Sequence, residues 1–207
     1  NRVKPHTAFR GPCESGLAKM ITIGLGKQKG ADSCHGFSFK HMAEHVLRMA
    51  EIKLKKTKII FGVGTVENAY DKVARIFAVT PEELIEVDQK MLIEARARMG
   101  RIMFDQIDVL VVDQLGKEIS GDGMDPNITG RYPTPDASGG PDVNKLVVLN
   151  LTEQTHGNAN GLGTADFTTR KVFENFNFES TYTNCLTSTI AIPAKIPIVM
   201  ESDQEAL

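Results

Sequence analysis

The stretch Gln106-Ile107-Asp108-Val109-Leu110-Val111-Val112-Asp113 carries the strongest fold signal in this sequence. Its centre, Val109 to Val112, is apolar without interruption and rich in valine. A short continuous apolar run is typical of a strand that is covered on both faces, as in the middle of a parallel sheet. The segment Lys145 to Leu151 repeats the pattern. We therefore expect both segments to be buried strands, the first of them central.

Further strands and helices are predicted on either side of these two segments. Predicted strands cover Lys58 to Val63, Val73 to Val79 and Ile196 to Met200. Predicted helices cover Leu17 to Leu25, Phe39 to Leu54, Pro81 to Met99 and Thr164 to Phe176, and another begins at Ser202. Lys27 to Gly36 and Gly116 to Gly140 are rich in polar residues or glycine and are predicted to be loops. Alternating strands and helices indicate an α/β fold with mostly parallel sheets flanked by helices.

Length and composition argue against a nucleic-acid-binding protein and against a membrane-spanning one. The chain has 207 residues and a net charge of −2, without the basic excess that is typical of nucleic-acid-binding proteins. Its apolar runs are too short to span a bilayer. The three cysteines are widely spaced, which favours free thiols in a reducing compartment. We expect a cytoplasmic protein that binds neither nucleic acid nor a membrane.

Lys19 stands thirteen residues after His6 and sixteen before His35. A lysine in a glycine-flanked turn can bind a phosphate or form a covalent adduct, and nearby histidines can move a proton or hold a metal. The turn from Gly11 to Gly16 opens a predicted helix, whose free N–H groups would point at a bound anion. The residues themselves leave a phosphate-binding module and a covalent site open.

A second group of polar residues follows the predicted strands. Gln114 and Lys117 come directly after the strand at 106–113, and His156 lies in the glycine-rich loop after the strand at 145–151. In open parallel sheets, ligands bind outside the carboxyl ends of the strands. These residues are therefore candidates for a binding site, and an ordinary polar strand end is the alternative.

The segment His41-Met42-Ala43-Glu44-His45 matches the H-x-x-E-H motif of inverted zinc peptidases. Two histidines four residues apart lie on one face of a helix and can bind zinc. The apolar residues of the same helix already define its buried face, so we expect both histidines to face the flank or the solvent. A zinc hydrolase stays an alternative, and it would need a further carboxylate ligand.

Four segments of the chain together resemble the nickel-dependent lactate racemase family. They are Val3-Lys4-Pro5-His6, Ser15-Gly16-Leu17-Ala18-Lys19, His35 and Gln114-Leu115-Gly116-Lys117. The stretches Ile119 to Asn127 and Thr155 to Gly161 are similar to those of less characterised homologues. Members of the family are longer, and this chain begins at Asn1 without a methionine, so we expect a piece of a longer protein.

The resemblance implies two α/β subdomains with the site between them. Residues 1–100 would be the C-terminal part of a cofactor-lysine domain, and residues 101–207 a second α/β domain. The implied cofactor is a nickel-pincer nucleotide, a sulfur-containing derivative of a pyridinium mononucleotide. Lys19 matches the lysine that carries it through a thioamide link, with Ser15 and Gly16 in the cofactor-binding turn. His35 matches the histidine that completes the nickel coordination.

The resemblance also implies roles for the substrate-binding residues. His6 matches one of two histidines that act in turn as general base and acid on the substrate hydroxyl, and the other would lie upstream. Gln114 and Lys117 match a pair that contacts substrate or cofactor. A lysine cation can hold a substrate carboxylate or stabilise developing negative charge.

The implied enzyme is an isomerase that racemises or epimerises a small 2-hydroxy acid or a sugar acid, by removing and returning a hydride. Its partners would include the enzymes that make the cofactor, and protein produced without them is expected to lack it. The alternatives are a zinc hydrolase that uses His41 and His45, and a non-catalytic nucleotide- or phosphate-binding module that uses the turn at 11–19. The sequence does not indicate the oligomeric state.

Overall fold

The computed structural model describes residues 1–36 and 38–207. The chain divides into two compact units, Asn1–Arg101 and Ile102–Leu207. Each unit has its own sheet and its own helices. No helix among the described residues is both long enough and apolar enough to cross a bilayer.

The first unit is built mainly from helices, with a small sheet. Its elements are α1 (Leu17–Lys19), which continues into a π-helical segment (Met20–Gly24), then α2 (Lys27–His35), α3 (Met42–Lys56), β1 (Gly62–Glu67), β2 (Val73–Val79) and α4 (Leu84–Arg98). The two strands pair antiparallel, with Gly62 opposite Val79. The sheet of this unit therefore differs from the parallel pairing that the sequence pattern predicts for the fold as a whole.

Helix α4 shows how the sequence builds the first unit. Its buried positions are Leu84, Asp88, Leu92 and Ala95, at the spacing of three and four residues that places side chains on one helix face. Leu92 and Ala95 pack in a core cluster with Val3, which brings the start of the described chain onto the helix. One buried position of the stripe, Asp88, is a carboxylate.

The second unit contains the parallel sheet. Its elements are β3 (Gln106–Leu115), α5 (Pro126–Thr129), β4 (Asp142–Leu151), β5 (Phe167–Thr169), α6 (Arg170–Glu174), α7 (Phe178–Ser188), β6 (Ile198–Met200) and α8 (Asp203–Ala206). The strand order is β3-β4-β5-β6, and all neighbouring pairs are parallel. Leu115, Leu146, Val148 and Leu162 lie in the core that covers this sheet. The helices and the parallel sheet confirm the predicted α/β class.

The predicted central strand is at the edge of the described sheet. Strand β3 pairs with β4 alone in the strand order, and the side chains of Val109 and Val111 are 51% and 39% exposed. The prediction of a strand buried on both faces is therefore wrong. A continuous apolar run indicates a strand with apolar side chains, but it does not indicate whether that strand lies at the centre or at the edge of the sheet.

Other element boundaries also differ from the sequence prediction. The strand predicted at 58–63 lies at Gly62–Glu67, and the loop predicted at 27–36 is helix α2. The helix predicted at 164–176 is instead the short strand β5 followed by α6. Helix α2 buries Cys34 and is otherwise polar, so the apolar repeat that signals a helix is missing. Strand β5 has three residues, too few for a period of two to show.

Candidate functional site

A backbone bridge brings the His6 loop back onto the start of α1. The amide of Lys4 donates to the carbonyl of Ser15 at 2.8 Å, and the amide of Ser15 donates to the carbonyl of Lys4 at 3.2 Å. The ten intervening residues therefore form a closed loop. Because α1 begins directly after the bridge, a side chain in this loop can reach Lys19.

The central contact of the first unit joins His6 and Lys19. The Nζ atom of Lys19 lies 2.9 Å from the Nε2 atom of His6. On the other side of the imidazole, Nδ1 accepts a hydrogen bond from the backbone N–H of Ala8 at 3.0 Å. Both ring nitrogens are thus engaged by named groups, and the orientation of the ring is fixed.

The charge state of His6 is governed by its surroundings. Burial is the main cause of a pKa for His6 that lies well below the ordinary value of 6.5. Positive charge on a neighbouring group would lower this pKa further, in the order Lys19, Lys4, Arg10 and His35. The imidazole is therefore neutral at pH 7, as a proton acceptor must be.

Aromatic rings connect His6 with His35. The His6 ring lies 4.2 Å from that of Phe9 and 6.3 Å from that of Phe39, measured between centroids. His35, at the end of α2, stacks on Phe39 with the centroids 5.8 Å apart and 28° between the planes. The structure thus gathers the three predicted residues of this unit: His6 contacts Lys19 and shares the ring of Phe39 with His35.

Glu14 holds the backbone of the His6 loop. This carboxylate is 1% exposed and accepts from the backbone N–H of His6 at 2.7 Å and from that of Gly11 at 3.0 Å. The guanidinium of Arg96 on α4 also donates to it. A buried carboxylate needs such partners, since its desolvation is otherwise costly. Glu14 therefore ties the His6 loop to helix α4.

The first turn of α1, predicted as an anion cradle, already faces a carboxylate of the protein. The N–H groups of Leu17 and Ala18 donate to the two oxygens of Asp88, at 2.8 and 3.2 Å. A Cβ at Gly16 would lie 2.3 Å from Oδ1 of Asp88, so glycine permits this close approach. Burial raises the pKa of Asp88 above its usual range, and the hydrogen bonds from Leu17 and Ala18 oppose that shift. The amides that would bind a phosphate thus have an internal acceptor.

Lys53 stabilises the helical segment that follows Lys19. Its Nζ atom donates to the carbonyls of Ile21 and Thr22, at 2.9 and 3.1 Å. These carbonyls belong to the π-helical turn, in which backbone hydrogen bonds join residues five positions apart instead of four. The turn that carries Lys19 is therefore fixed at both ends, by Asp88 and by Lys53.

The thiols near this site are poor metal ligands. Burial, followed by the charge of Asp88, raises the pKa of Cys13 to about 12. Burial also raises the pKa of Cys34, and positive charge on Lys53 or Lys19 would oppose that shift. Because a metal binds the thiolate form, this burial makes both cysteines less favourable metal ligands than exposed thiols. A soft metal at this site would need sulfur ligands from a cofactor.

A cleft of about 230 Å³ opens beside Lys19. The three predicted cofactor residues, Ser15, Gly16 and Lys19, line it together with the π-helical turn. Typical ligand pockets are about 300–1,000 Å³. The cleft is smaller than this, and among the described residues that line it there is neither His6 nor His35.

In the second unit, Gln114 and Lys117 lie at the carboxyl end of β3. Gln114 is the parallel register partner of Asn150 on β4. The backbone N–H of Lys117 donates to Oγ1 of Thr155 at 3.2 Å, and its Nζ atom donates to the carbonyl of Gly121. The contact with Thr155 joins the loops that follow the two strands, and the contact with Gly121 lies within the loop that carries Lys117.

Lys117 is partly shielded from solvent. Burial lowers the pKa of Lys117, and the nearby charge of Asp122 opposes the shift. Asp122 is itself held by the amide of Asn160 at 3.1 Å. The polar loop around Lys117 is therefore ordered by the loop after β4.

A larger cleft, of about 720 Å³, lies at the carboxyl end of β4. Asn150, His156 and Lys171 are among the polar groups that line it. His156 is exposed and adopts a φ of +49°, which is uncommon for a residue with a side chain. The position of this cleft agrees with the rule that ligands bind beyond the carboxyl ends of parallel strands.

The two histidines of the H-x-x-E-H motif lie without a third metal ligand placed beside them among the described residues. His41 is exposed and His45 is half-buried. Among residues 1–36 and 38–207, no group of three or more His, Cys, Asp or Glu side chains is placed to hold a metal ion. The third ligand that a zinc hydrolase would need is thus not seen among the described residues.

Comparison with protein-family models, with curated proteins and with solved structures gives no match to this chain. The resemblance to the nickel-dependent racemases therefore stays a prediction that rests on the residues quoted above.

Sequence reasoning missed Asp88, Glu14 and Thr152. Asp88 had a signal, since it is a charged residue in the apolar stripe of a helix and such positions need a buried partner. Glu14 lies in an irregular turn, where no periodicity marks a buried side chain. The Oγ1 atom of Thr152 is buried and makes no hydrogen bond with the described residues, a feature that only coordinates reveal.

Proposed function

We propose that this protein racemises or epimerises a small 2-hydroxy acid, using a nickel-pincer nucleotide attached to Lys19. The observation that supports this most is the 2.9 Å contact between Nζ of Lys19 and Nε2 of His6. It brings the proposed tether and the proposed proton carrier to one place.

The donor groups of the first unit fit the proposed cofactor. Nickel accepts imidazole ligands, and His35 offers an imidazole that shares the Phe39 ring with His6. The sulfur ligands would come with the cofactor, as the resemblance to the nickel-dependent racemases implies. When bound, the group would supply an electron-poor pyridinium ring able to take up a hydride from the substrate carbon.

His6 is proposed to move the hydroxyl proton of the substrate. Its lowered pKa keeps the imidazole neutral at pH 7, so it can accept this proton as the hydride leaves the adjacent carbon. The lone pair of Nδ1 is already engaged by the amide of Ala8. The single proton of the neutral ring is then on Nε2. For Nε2 to accept a substrate proton, the ring must first carry its own proton on Nδ1, and this requires the hydrogen bond from Ala8 to open in the cofactor-bound protein. A second acid/base group would complete the reaction on the opposite face of the substrate.

Lys117 and Gln114 are proposed to contact the carboxylate of the substrate. Partial burial strengthens the attraction between a lysine cation and a carboxylate, since less water screens the charges. The loop contact from Lys117 to Thr155 keeps its backbone in place while the side chain exchanges its internal acceptor for substrate.

The function is tested with protein that is co-expressed with the cofactor-making enzymes and contains nickel. Purified protein is incubated with single enantiomers of 2-hydroxy acids, and the opposite enantiomer is measured by chiral chromatography. We expect racemisation by the unaltered protein and by Lys29→Ala, an exposed lysine of the same unit. Loss of Lys19 in Lys19→Ala should abolish turnover.

The same assay in D2O distinguishes hydride return from proton exchange. Return of the substrate's own hydrogen leaves the product carbon free of deuterium, because a hydride does not exchange with solvent. Deuterium at that carbon, or full activity of Lys19→Ala, would contradict the proposal.

A further inference from the structure

The hydrogen bond from Ala8 determines which ring nitrogen of His6 carries a proton. The backbone amide of Ala8 is always a donor, and it lies 3.0 Å from Nδ1. Nδ1 must therefore present its lone pair. The Nδ1–H tautomer and the doubly protonated imidazolium would each place two N–H groups against each other.

The remaining proton of the neutral ring is consequently on Nε2. This N–H faces Nζ of Lys19 across 2.9 Å. An ammonium group has three donors and no lone pair, so it cannot accept this hydrogen bond. An uncharged amine can accept it.

The surroundings of the pair favour the uncharged form. Lys4, Arg10 and His35 are close enough to act electrostatically on His6, and positive charge on Lys19 would add to theirs. The ring of His6 is held by its contact with Phe9, and its backbone by Glu14. The ring therefore has little freedom to turn its other edge toward Lys19.

We infer that His6 holds Lys19 as an uncharged amine in protein without cofactor, which makes Lys19 a modification site for acylating electrophiles. In such a reaction the Nζ lone pair attacks the acyl carbon and forms an N–C bond. The leaving group departs with its electron pair, and one amine proton is released. This inference stands apart from nickel chemistry, although an amine in this state is also the form that a cofactor attachment would need.

The inference is tested by trace labelling of the cofactor-free protein with isotopic acetic anhydride at pH 7. Peptide mass spectrometry then gives a relative rate for each lysine. A lysine with the ordinary pKa of about 10.4 is uncharged in roughly 1 molecule in 2,500 at this pH. Lys19 should therefore react at least about tenfold faster than the exposed Lys29 and Lys58, despite its partial burial. A rate equal to or below theirs would overturn the inference.

A pair of variants tests the part played by His6. His6→Phe keeps an aromatic ring against Phe9 but removes the Nε2 proton. It should lower the labelling rate of Lys19 at least about fivefold, toward the rate of a lysine with an ordinary pKa. His41→Phe, which replaces an exposed histidine of the same unit, should leave the rate unchanged. Rapid labelling that persists in His6→Phe would overturn the assignment.

Nitrogen NMR of the unaltered protein provides a measurement that does not depend on a variant folding. Long-range ¹H–¹⁵N correlation distinguishes the two tautomers of a histidine ring. For His6 at pH 7 we expect the pattern with the proton on Nε2. The Nδ1–H pattern or the imidazolium pattern would contradict the inference. If Lys19 is reactive yet never carries a cofactor in co-expressed protein, the inference stands and the proposed function fails.

Discussion

The carboxylate of Asp88 accepts a hydrogen bond from the backbone N–H of Leu17 at 2.8 Å, across 71 residues of sequence. This contact joins the middle of α4 to the first turn of α1. It occupies an amide that would otherwise be available to a phosphate. The same contact helps to set the position of Lys19, two residues further on.

Replacing Asp88 should therefore destabilise the first unit. Asp88→Ala leaves the buried amides of Leu17 and Ala18 without an acceptor, and we expect a loss of about 2–3 kcal/mol in the free energy of unfolding. Urea denaturation measures it. Glu86→Gln, on an exposed position of the same helix, should have little effect. Equal midpoints for the two variants would show that the Asp88 contact does not stabilise the protein.

Glu14→Gln should loosen the His6 loop. The amide side chain keeps the shape of Glu14 but lacks the charge that pairs with Arg96, and it turns one acceptor into a donor. We expect a loss of about 1–3 kcal/mol in the free energy of unfolding, together with a changed His6 imidazole shift by NMR. A stable variant with an unchanged His6 signal would contradict this role, and Glu44→Gln, at an exposed position, is the control.

The lowered pKa of His6 predicts a pH dependence of stability. As the pH falls below about 6.5, the unfolded chain takes up a proton at this histidine before the folded protein does. The unfolded state then binds more protons, so stability falls from pH 8 toward pH 5. In His6→Phe this contribution is absent, and the loss over the same range should be smaller. Denaturation midpoints at several pH values measure the difference, and parallel curves for the two proteins would contradict it.

Gly116→Ala should destabilise the loop after β3. A Cβ at this position would lie 2.2 Å from Oγ1 of Thr152 and 2.6 Å from a carboxylate oxygen of Glu118. Overpacking of this kind costs about 1–3 kcal/mol, and Thr152→Ala in the same chain should restore part of it. Gly121→Ala is the control, because nothing lies within 4 Å of its Cβ position. Equal thermal midpoints for Gly116→Ala and Gly121→Ala would refute the steric account.

Lys117→Met tests the proposed contact between Lys117 and the substrate carboxylate, and it should weaken substrate binding in protein that carries the proposed cofactor. Methionine keeps much of the length of the side chain without its charge, so we expect a KM at least about tenfold higher, which corresponds to about 1.4 kcal/mol. Lys145→Met replaces an exposed lysine on β4 and should leave KM unchanged. An unaltered KM in Lys117→Met would contradict the proposed role of Lys117 in substrate binding.

Local signals allowed several elements to be predicted. Strand β2 was expected at Val73 to Val79 and lies there, because β-branched residues and flanking turns mark it. The last helix was expected from Ser202, whose hydroxyl accepts from the amide of Glu205 at 3.2 Å as a helix cap does. Helix α7 was missed, since its hydroxyl-rich sequence has few apolar positions. The edge position of β3 depends on which strands pair, and pairing is a tertiary property.

The site could be predicted only in outline. The spacing of His6, Lys19 and His35 indicated a neighbourhood, but the 2.9 Å contact depends on the bridge between Lys4 and Ser15. That bridge joins residues with no distinctive pattern. The tautomer of His6 depends on the amide of Ala8, a backbone group that any residue other than proline would supply.

The central claim, that Lys19 carries a cofactor, is tested most directly by peptide mass spectrometry. The sample is nickel-containing protein, co-expressed with the cofactor-making enzymes and shown to racemise a 2-hydroxy acid. We expect the peptide that contains Lys19 to carry the added mass of the nucleotide on that side chain, and the peptide that contains Lys29 to be unmodified. An unmodified Lys19 in an active, nickel-containing preparation would contradict the claim.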